Sequence, residues 1–282
     1  LNKLRQRKME LDNFESKSMD MNKKFNTGVF LVILLFAISS FAQKNDFRKI
    51  ENKAFKQGEK LTFQVSYGFI TAGIAEYYIP KIVKIAGRDA YNVMFNVSSN
   101  SAFDPFYKVR DHYETYIDVE GLFPWRFEQH IREGGYSRDF SAFFDQRKGK
   151  AKTSEGSYDI PKYVSDIVSA FYLARTFDYS KMKEGDKVHL ENFYKDKVYP
   201  LDVVFHGKET VSVKAGKFKC IILEPLVREG GLFKSDGTLI VWLTEDQARI
   251  PVKVRTKIVI GSIDAELIGY SGIAAEVKSK IN

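Results

Sequence analysis

A single cysteine in 282 residues rules out an intramolecular disulfide, so the fold must rest on its core alone. That residue, Cys220, lies in the apolar run Phe218-Lys219-Cys220-Ile221-Ile222-Leu223 and reads as a small buried hydrophobe rather than a nucleophile. Histidine is scarce too. His112, His130, His189 and His206 include no His-x-His and no pair at helical i, i+4 spacing, so no metal site and no cofactor is expected. There is no Gly-x-Ser-x-Gly elbow for a serine nucleophile. Neither Gly68 to Gly73 nor Gly230-Gly231 precedes a helix as a phosphate loop must. Long apolar runs are missing as well: Val29 to Ile38 is well short of the roughly 20 residues that span a bilayer.

That short run is nevertheless informative. Lys23 and Lys24 precede it, and the small residues Ser40 and Ala42 follow it just ahead of Gln43. A basic start, an apolar core and a small-residue ending form a secretory signal peptide over 21–42, cut before Gln43. A periplasmic protein with no membrane span after cleavage is expected. Lipidation would need a cysteine directly after the core, where none stands. Residues 1–20 are polar and unperiodic, and they read as an upstream extension ahead of the Met-Asn-Lys-Lys start at Met21.

Removing 42 residues takes away seven of 44 basic and four of 36 acidic side chains, which leaves a mild positive excess. Basic residues alternate with apolar ones, as in Lys253, Arg255 and Lys257, instead of clustering in a stripe. No nucleic-acid partner is expected. The 23 Phe and 15 Tyr favour sheets with large interior side chains over a helical bundle.

Period-two alternation recurs along the chain, as in Leu61, Phe63, Val65, Tyr67 and in Tyr91, Val93, Phe95, Val97. Further strands are predicted over 107–118, 125–133, 136–145, 187–194, 199–209, 209–214, 217–225, 237–244, 251–260 and 262–270. Gly134-Gly135, Ala215-Gly216 and Gly261-Ser262 mark short turns, so neighbouring strands form antiparallel hairpins. One segment differs: from Pro161 to Phe177 apolar residues recur at three- and four-residue spacing, which predicts a helix packed on most of its circumference. The expected fold is mainly β, a curled antiparallel sheet or β-roll in two halves with one central helix. A sandwich of two domains meeting near Tyr163 is the alternative. The expected layout is a linker over 43–54, one β-rich domain over 55–270 and a tail over 271–282.

Several blocks resemble a known family. They are Phe55-Lys56-Gln57-Gly58-Glu59-Lys60-Leu61, Tyr107-Lys108-Val109-Arg110-Asp111, Asp166-Ile167-Val168-Ser169-Ala170-Phe171-Tyr172, Gly216-Lys217-Phe218-Lys219-Cys220, and Trp242-Leu243-Thr244-Glu245-Asp246 with Arg249-Ile250-Pro251-Val252. In this order they are similar to the bacterial family of proteins of unknown function numbered 3108, over roughly Phe55 to Gly269. The resemblance implies an exported, β-rich envelope protein and brings no established activity.

An interior polar cluster is the best candidate site. Parity places Asp111 on the apolar face of its strand, with Gln129 on the matching face of the next and Arg138 on the one after. A meander sets Asp111 and Arg138 about 9 to 10 Å apart, with Gln129 between them. A buried carboxylate needs such a partner to stay charged. The cluster is either a pin that fixes strand register or the polar end of an aromatic pocket. His112 and His130 fall on the opposite, wet face. Arg249 sits in the Glu245-Asp246-Gln247-Ala248 turn, where it can bond turn carbonyls or, from a groove rim, grip an anionic ligand. A non-catalytic scaffold, or a groove for lipid, glycolipid or peptide, is the expected function. The competing class is an envelope hydrolase acting on glycan or peptide.

Overall fold

The computed structural model describes residues 47–227, 238–258 and 261–281; the predicted leader and its cleavage position lie outside these residues. Fourteen strands follow one hydrogen-bonded path. From one edge the order is β8 (Ser157–Asp159), β7 (Lys150–Thr153), β6 (Tyr136–Asp145), β5 (Pro124–Glu133), β4 (Arg110–Asp118), β3 (Arg88–Ser99), β2 (Ile70–Ile85) and β1 (Lys60–Tyr67). It continues through β14 (Ser262–Ser271), β13 (Pro251–Lys257), β12 (Leu239–Thr244), β11 (Gly216–Val227) and β10 (Lys197–Val213) to β9 (Lys187–Tyr194). A short β15 (Lys280–Ile281) pairs with β11. Every ladder is antiparallel, and the two meanders join along β1 and β14.

This is the curled sheet in two halves that the alternation predicts. The connection between the two outer strands carries the helix α1 (Ile167–Ala174), and the edges approach each other there. Tyr158 of β8 contacts Phe193 of β9 with ring centroids 6.0 Å apart. Ser165 pairs with Asn192 in a single parallel bridge, through Ser165 N to Glu191 O at 2.9 Å and Phe193 N to Ser165 O at 2.8 Å. This bridge and side-chain contacts span the gap between the edges, which no ladder joins.

The helix is half as long as its apolar pattern, and the reason is local. Before Ile167 the backbone of Ser165 is committed to the β9 edge, and Tyr163 has φ +66°, outside the helical region. Asp166 then caps the helix, its carboxylate accepting from Val168 N and Ser169 N at 2.9 Å each while Ser169 Oγ takes the Asp166 amide. The second carboxylate oxygen accepts from Thr115 Oγ1 at 2.6 Å and so fastens α1 to β4.

Two strands differ from expectation around special residues. The pattern over 199–214 splits at Glu209, yet β10 runs unbroken with a bulge between Phe205 and Lys208, where Gly207 takes φ +89°. Strand β2 was not predicted, because Gly73 and Pro80 interrupt its alternation. The structure absorbs Pro80 in a bulge between Tyr78 and Lys81, and Ile79 bonds Glu59 and Gly58 instead of β3. Arg48 reaches the Gly121 and Leu122 carbonyls, and Ala54 is buried, so 48–54 pack along the first half. After Tyr270, Ser279 donates to Asp246 Oδ2 from both its amide and its hydroxyl. Cys220 is fully buried, and burial pushes its thiol up to about 12.

The largest buried polar feature was missed. Glu59 and Arg175 form a fully buried ion pair, with Arg175 Nη1 to Glu59 Oε1 at 2.6 Å and Nη2 to Oε2 at 2.8 Å. The Arg175 guanidinium also donates to the carbonyls of Ala54, Ala248 and Arg249, and Tyr172 donates its hydroxyl to Glu59. The guanidinium thus ties together the segment before β1, the end of α1 and the β12–β13 turn.

Candidate functional site

Strand register sets one row of side chains across the concave face. Tyr77 lies opposite Phe95, Phe95 opposite Tyr113, Tyr113 opposite Gln129, and Gln129 opposite Phe140. Ring centroids are 4.1 Å apart between Tyr77 and Phe95 and 5.6 Å between Phe95 and Tyr113. Phe171 of α1 stacks on Tyr77 at 5.2 Å. Facing this row across the interior are Leu201, Val203, Leu223, Val241 and Leu243 from β10, β11 and β12. Between the two walls and α1 lies a cavity of about 300 Å³ whose lining is almost entirely apolar.

The row continues past the cavity wall into polar side chains. Gln129 is 1 % exposed and stands against the Tyr113 phenol, yet neither its carboxamide oxygen nor its nitrogen makes a hydrogen bond of normal geometry. One step toward the strand ends, on the same face, are Asp111 and Glu133. The bridges His112–His130 and Val109–Glu133 set Asp111 beside Ile131 and make Glu133 its diagonal neighbour. Asp111 Oδ1 accepts the Arg132 amide at 2.8 Å. Burial, and next the Asp111 carboxylate, push Glu133 up to about 7. Burial likewise raises Asp111, and it raises the phenols of Tyr77 and Tyr113. The two carboxyls therefore titrate as a pair, in which Glu133 keeps its proton to higher pH than an ordinary glutamate.

The predicted residues are partly brought together. Asp111, Gln129 and Arg138 do share the inner face, but the expected Asp111–Arg138 ion pair is not formed. Ile131, not Gln129, lies between them, and Arg138 turns the other way to Glu155 at 3.0 Å and toward the Phe140 and Tyr194 rings. Asp111 instead accepts the Arg132 backbone amide and has Glu133 as its diagonal neighbour. Arg249 is elsewhere: its guanidinium donates to Glu245 O at 2.8 Å and lies over the Tyr179 ring, so it braces its own turn.

Glu133 escaped the sequence reading although its parity matches that of Gln129 and Ile131. The Gly134-Gly135 turn fixes β5 against β6, but the longer loop between β4 and β5 left their register open, and that register makes Glu133 face Asp111. His112 and His130 lie opposite each other on the outer face with ring centroids 6.0 Å apart. Among the described residues no group of three or more His, Cys, Asp or Glu side chains could hold a metal ion, and no helix is long and apolar enough to cross a membrane.

Fold and site define a β-barrel-like protein whose rolled, unclosed sheet encloses an apolar cavity, with buried polar side chains on the same face beyond its wall. The chain belongs to the family of proteins of unknown function DUF3108, whose model matches residues 62–268. No curated protein matches it. Among solved structures it is similar to a β-barrel-like protein of the domain of unknown function DUF1849 from Brucella abortus, with a TM-score of 0.52 and 12% identity over 77% of this chain and 98% of that one. Weaker likenesses are to a candidate lipoprotein from Parabacteroides distasonis (TM-score 0.35, 10% identity, 80% of this chain and 100% of that one) and a candidate exported protein with a YmcC-like fold from Bacteroides fragilis (TM-score 0.32, 13% identity, 80% and 100%). At such identities the likeness concerns the fold alone.

Proposed function

We propose that this protein is exported to the periplasm and there binds, without catalysis, a single-chain amphiphile such as a lipid, a glycolipid or an acylated peptide. One observation carries the reading: the rings Tyr77, Phe95 and Tyr113 on the cavity wall are followed on the same face by Gln129, whose buried carboxamide stands against the Tyr113 phenol and makes no hydrogen bond of normal geometry. An apolar tail among the rings gains about 0.8 kcal/mol per buried methylene. At about 30 Å³ per water-sized group the cavity takes roughly ten heavy atoms, one chain and not two. A neutral amide or hydroxyl head suits this end better than an anion, because Asp111 and Glu133 already crowd negative charge beside it.

The second reading, a hydrolase acting on glycan or peptide, is favoured by that same carboxyl pair, since acid–base hydrolysis uses one protonated and one ionised carboxyl. Binding is the better reading because Asp111 is committed to the Arg132 amide and the pair adjoins an apolar wall.

Native mass spectrometry of protein purified from its own periplasm, with N-terminal sequencing of the same sample, tests both parts. A copurified single-chain amphiphile on a chain that begins at or near Gln43 is expected. A cytoplasmic chain beginning at Leu1 would defeat export. Empty protein that also ignores a fluorescent N-acyl probe would defeat binding. Ala170→Phe, which fills the cavity from α1, is expected to abolish probe uptake while the protein stays folded; unchanged uptake places the ligand elsewhere.

A further inference from the structure

The end of the roll that carries Glu133 also carries large apolar side chains in water. Phe69, at the tip of the β1–β2 turn, is 98 % exposed, and Phe106, in the loop between β3 and β4, is 82 % exposed. Tyr107 and Tyr136 beside them are half-exposed. Hydrogen bonds hold these tips together at one end of the strands. Asn100 bonds the carbonyls of Thr71 and Ala72 at 2.8 Å, joining the Phe106 loop to the start of β2. Gly134 N donates to Lys108 O at 2.8 Å, and a Cβ at Gly134 would come within 3.0 Å of the Tyr107 ring, so the same loop lies on the β5–β6 turn. Gly68 N donates to Ser262 O, joining the Phe69 turn to β14.

A lone exposed aromatic is ordinary, but a group gathered at one end of a fold marks a surface that meets something apolar. Charge narrows the choice. Lys108 and Lys257 stand exposed among the tips; of the acids at this end Asp104 is engaged by Arg110 at 2.7 Å and Asp264 by Arg255 at 2.6 and 3.0 Å, while Glu133 is half-buried and held toward its protonated form. Phenylalanine and tyrosine tips with exposed lysines are the composition of a surface that seats at a membrane–water interface, with rings in the acyl boundary and ammonium groups at anionic headgroups.

We infer that this end of the roll docks on an anionic lipid bilayer, with Phe69 and Phe106 inserted. The inference stands on the exposed side chains and does not require the cavity to hold a ligand. Behind the tips the inner face grades from Glu133 through Asp111 to Gln129 and then to Tyr113 on the cavity wall, so the docked end is also the one nearest these buried polar side chains.

The test uses the mature chain and vesicles of phosphatidylethanolamine with phosphatidylglycerol. The protein is expected to float with these vesicles, less so at high salt, and weakly with neutral phosphatidylcholine. Phe69→Asp with Phe106→Asp is expected to weaken vesicle binding roughly tenfold or more, because it places two charges where two rings would be buried. Both sites are exposed, so the thermal midpoint and uptake of the N-acyl probe in solution should be unchanged; this separates failure of docking from failure of ligand binding. Separately, Phe69→Trp should give a blue-shifted emission on adding vesicles. Wild-type protein that stays in the aqueous phase, a double variant that floats as well as wild type, or an emission that does not move overturns the inference. A wild-type dimer in solution that F69D with F106D turns into a monomer would show instead that the rim meets a second copy of this chain.

Discussion

Arg175 grips Glu59 through two parallel N–H···O bonds of 2.6 and 2.8 Å, and neither side chain has any solvent exposure. The two residues are 116 positions apart, one before β1 and the other at the end of α1. Their charges stay buried because Nε and Nη2 of the guanidinium also donate to the backbone carbonyls of Arg249, Ala54 and Ala248.

Removing one partner strands the other. Glu59→Ala leaves a buried guanidinium without a counter-charge and should cost about 3 to 5 kcal/mol. Glu59→Leu with Arg175→Met should recover much of that loss. Denaturant titration of wild type, Glu59→Ala, the double variant and its two single variants, Glu59→Leu and Arg175→Met, checks this, and simple additivity of those two single replacements would disprove the coupling.

Asp111 and Arg138 should behave in the opposite way. Because Arg138 engages Glu155 and Asp111 engages the Arg132 amide, their replacements by alanine should add within about 0.5 kcal/mol. A double-mutant cycle with a larger coupling would mean that the two side chains do meet in solution.

Glu133 makes stability depend on pH. Its folded-state pKa is about 7, above the 4.5 of an unperturbed glutamate, so the folded state holds the proton more tightly than the unfolded chain does. The contribution is fully present below pH 4.5 and is lost as the pH rises toward and through 7. The thermal midpoint of wild type should therefore fall over this window, and Glu133→Gln should flatten the fall. A wild-type profile that rises there, or a Glu133→Gln profile of the same slope, contradicts the assignment.

Much of the architecture could be read from period-two patterns, and the exceptions have local causes. Asp111, Gln129 and Arg138 were placed on the right face because parity along a strand is insensitive to where its neighbours begin. Their partners were not, because pairing needs register. Glu155 lies in the β7–β8 turn, whose short strands carry too little alternation to notice, and Glu133 meets Asp111 only in one register of β4 against β5. Strand β2 hid behind Gly73 and Pro80. The helix was drawn too long because apolar spacing continues where Ser165 has joined the sheet edge. Arg175, a charged residue within that apolar spacing, is among the most deeply buried groups of the segment.

The seam between β8 and β9 has a mechanical meaning. Elsewhere around the roll, strands part only by breaking a ladder, whereas no ladder joins β8 to β9: the Ser165–Asn192 bridge comes from the segment between β8 and α1, and side-chain contacts such as Tyr158–Phe193 and Arg138–Tyr194 do the rest. Opening this joint sacrifices two backbone hydrogen bonds and leaves both meanders whole. The roll therefore has a lengthwise line beside α1 along which its two edges can part while every ladder stays intact.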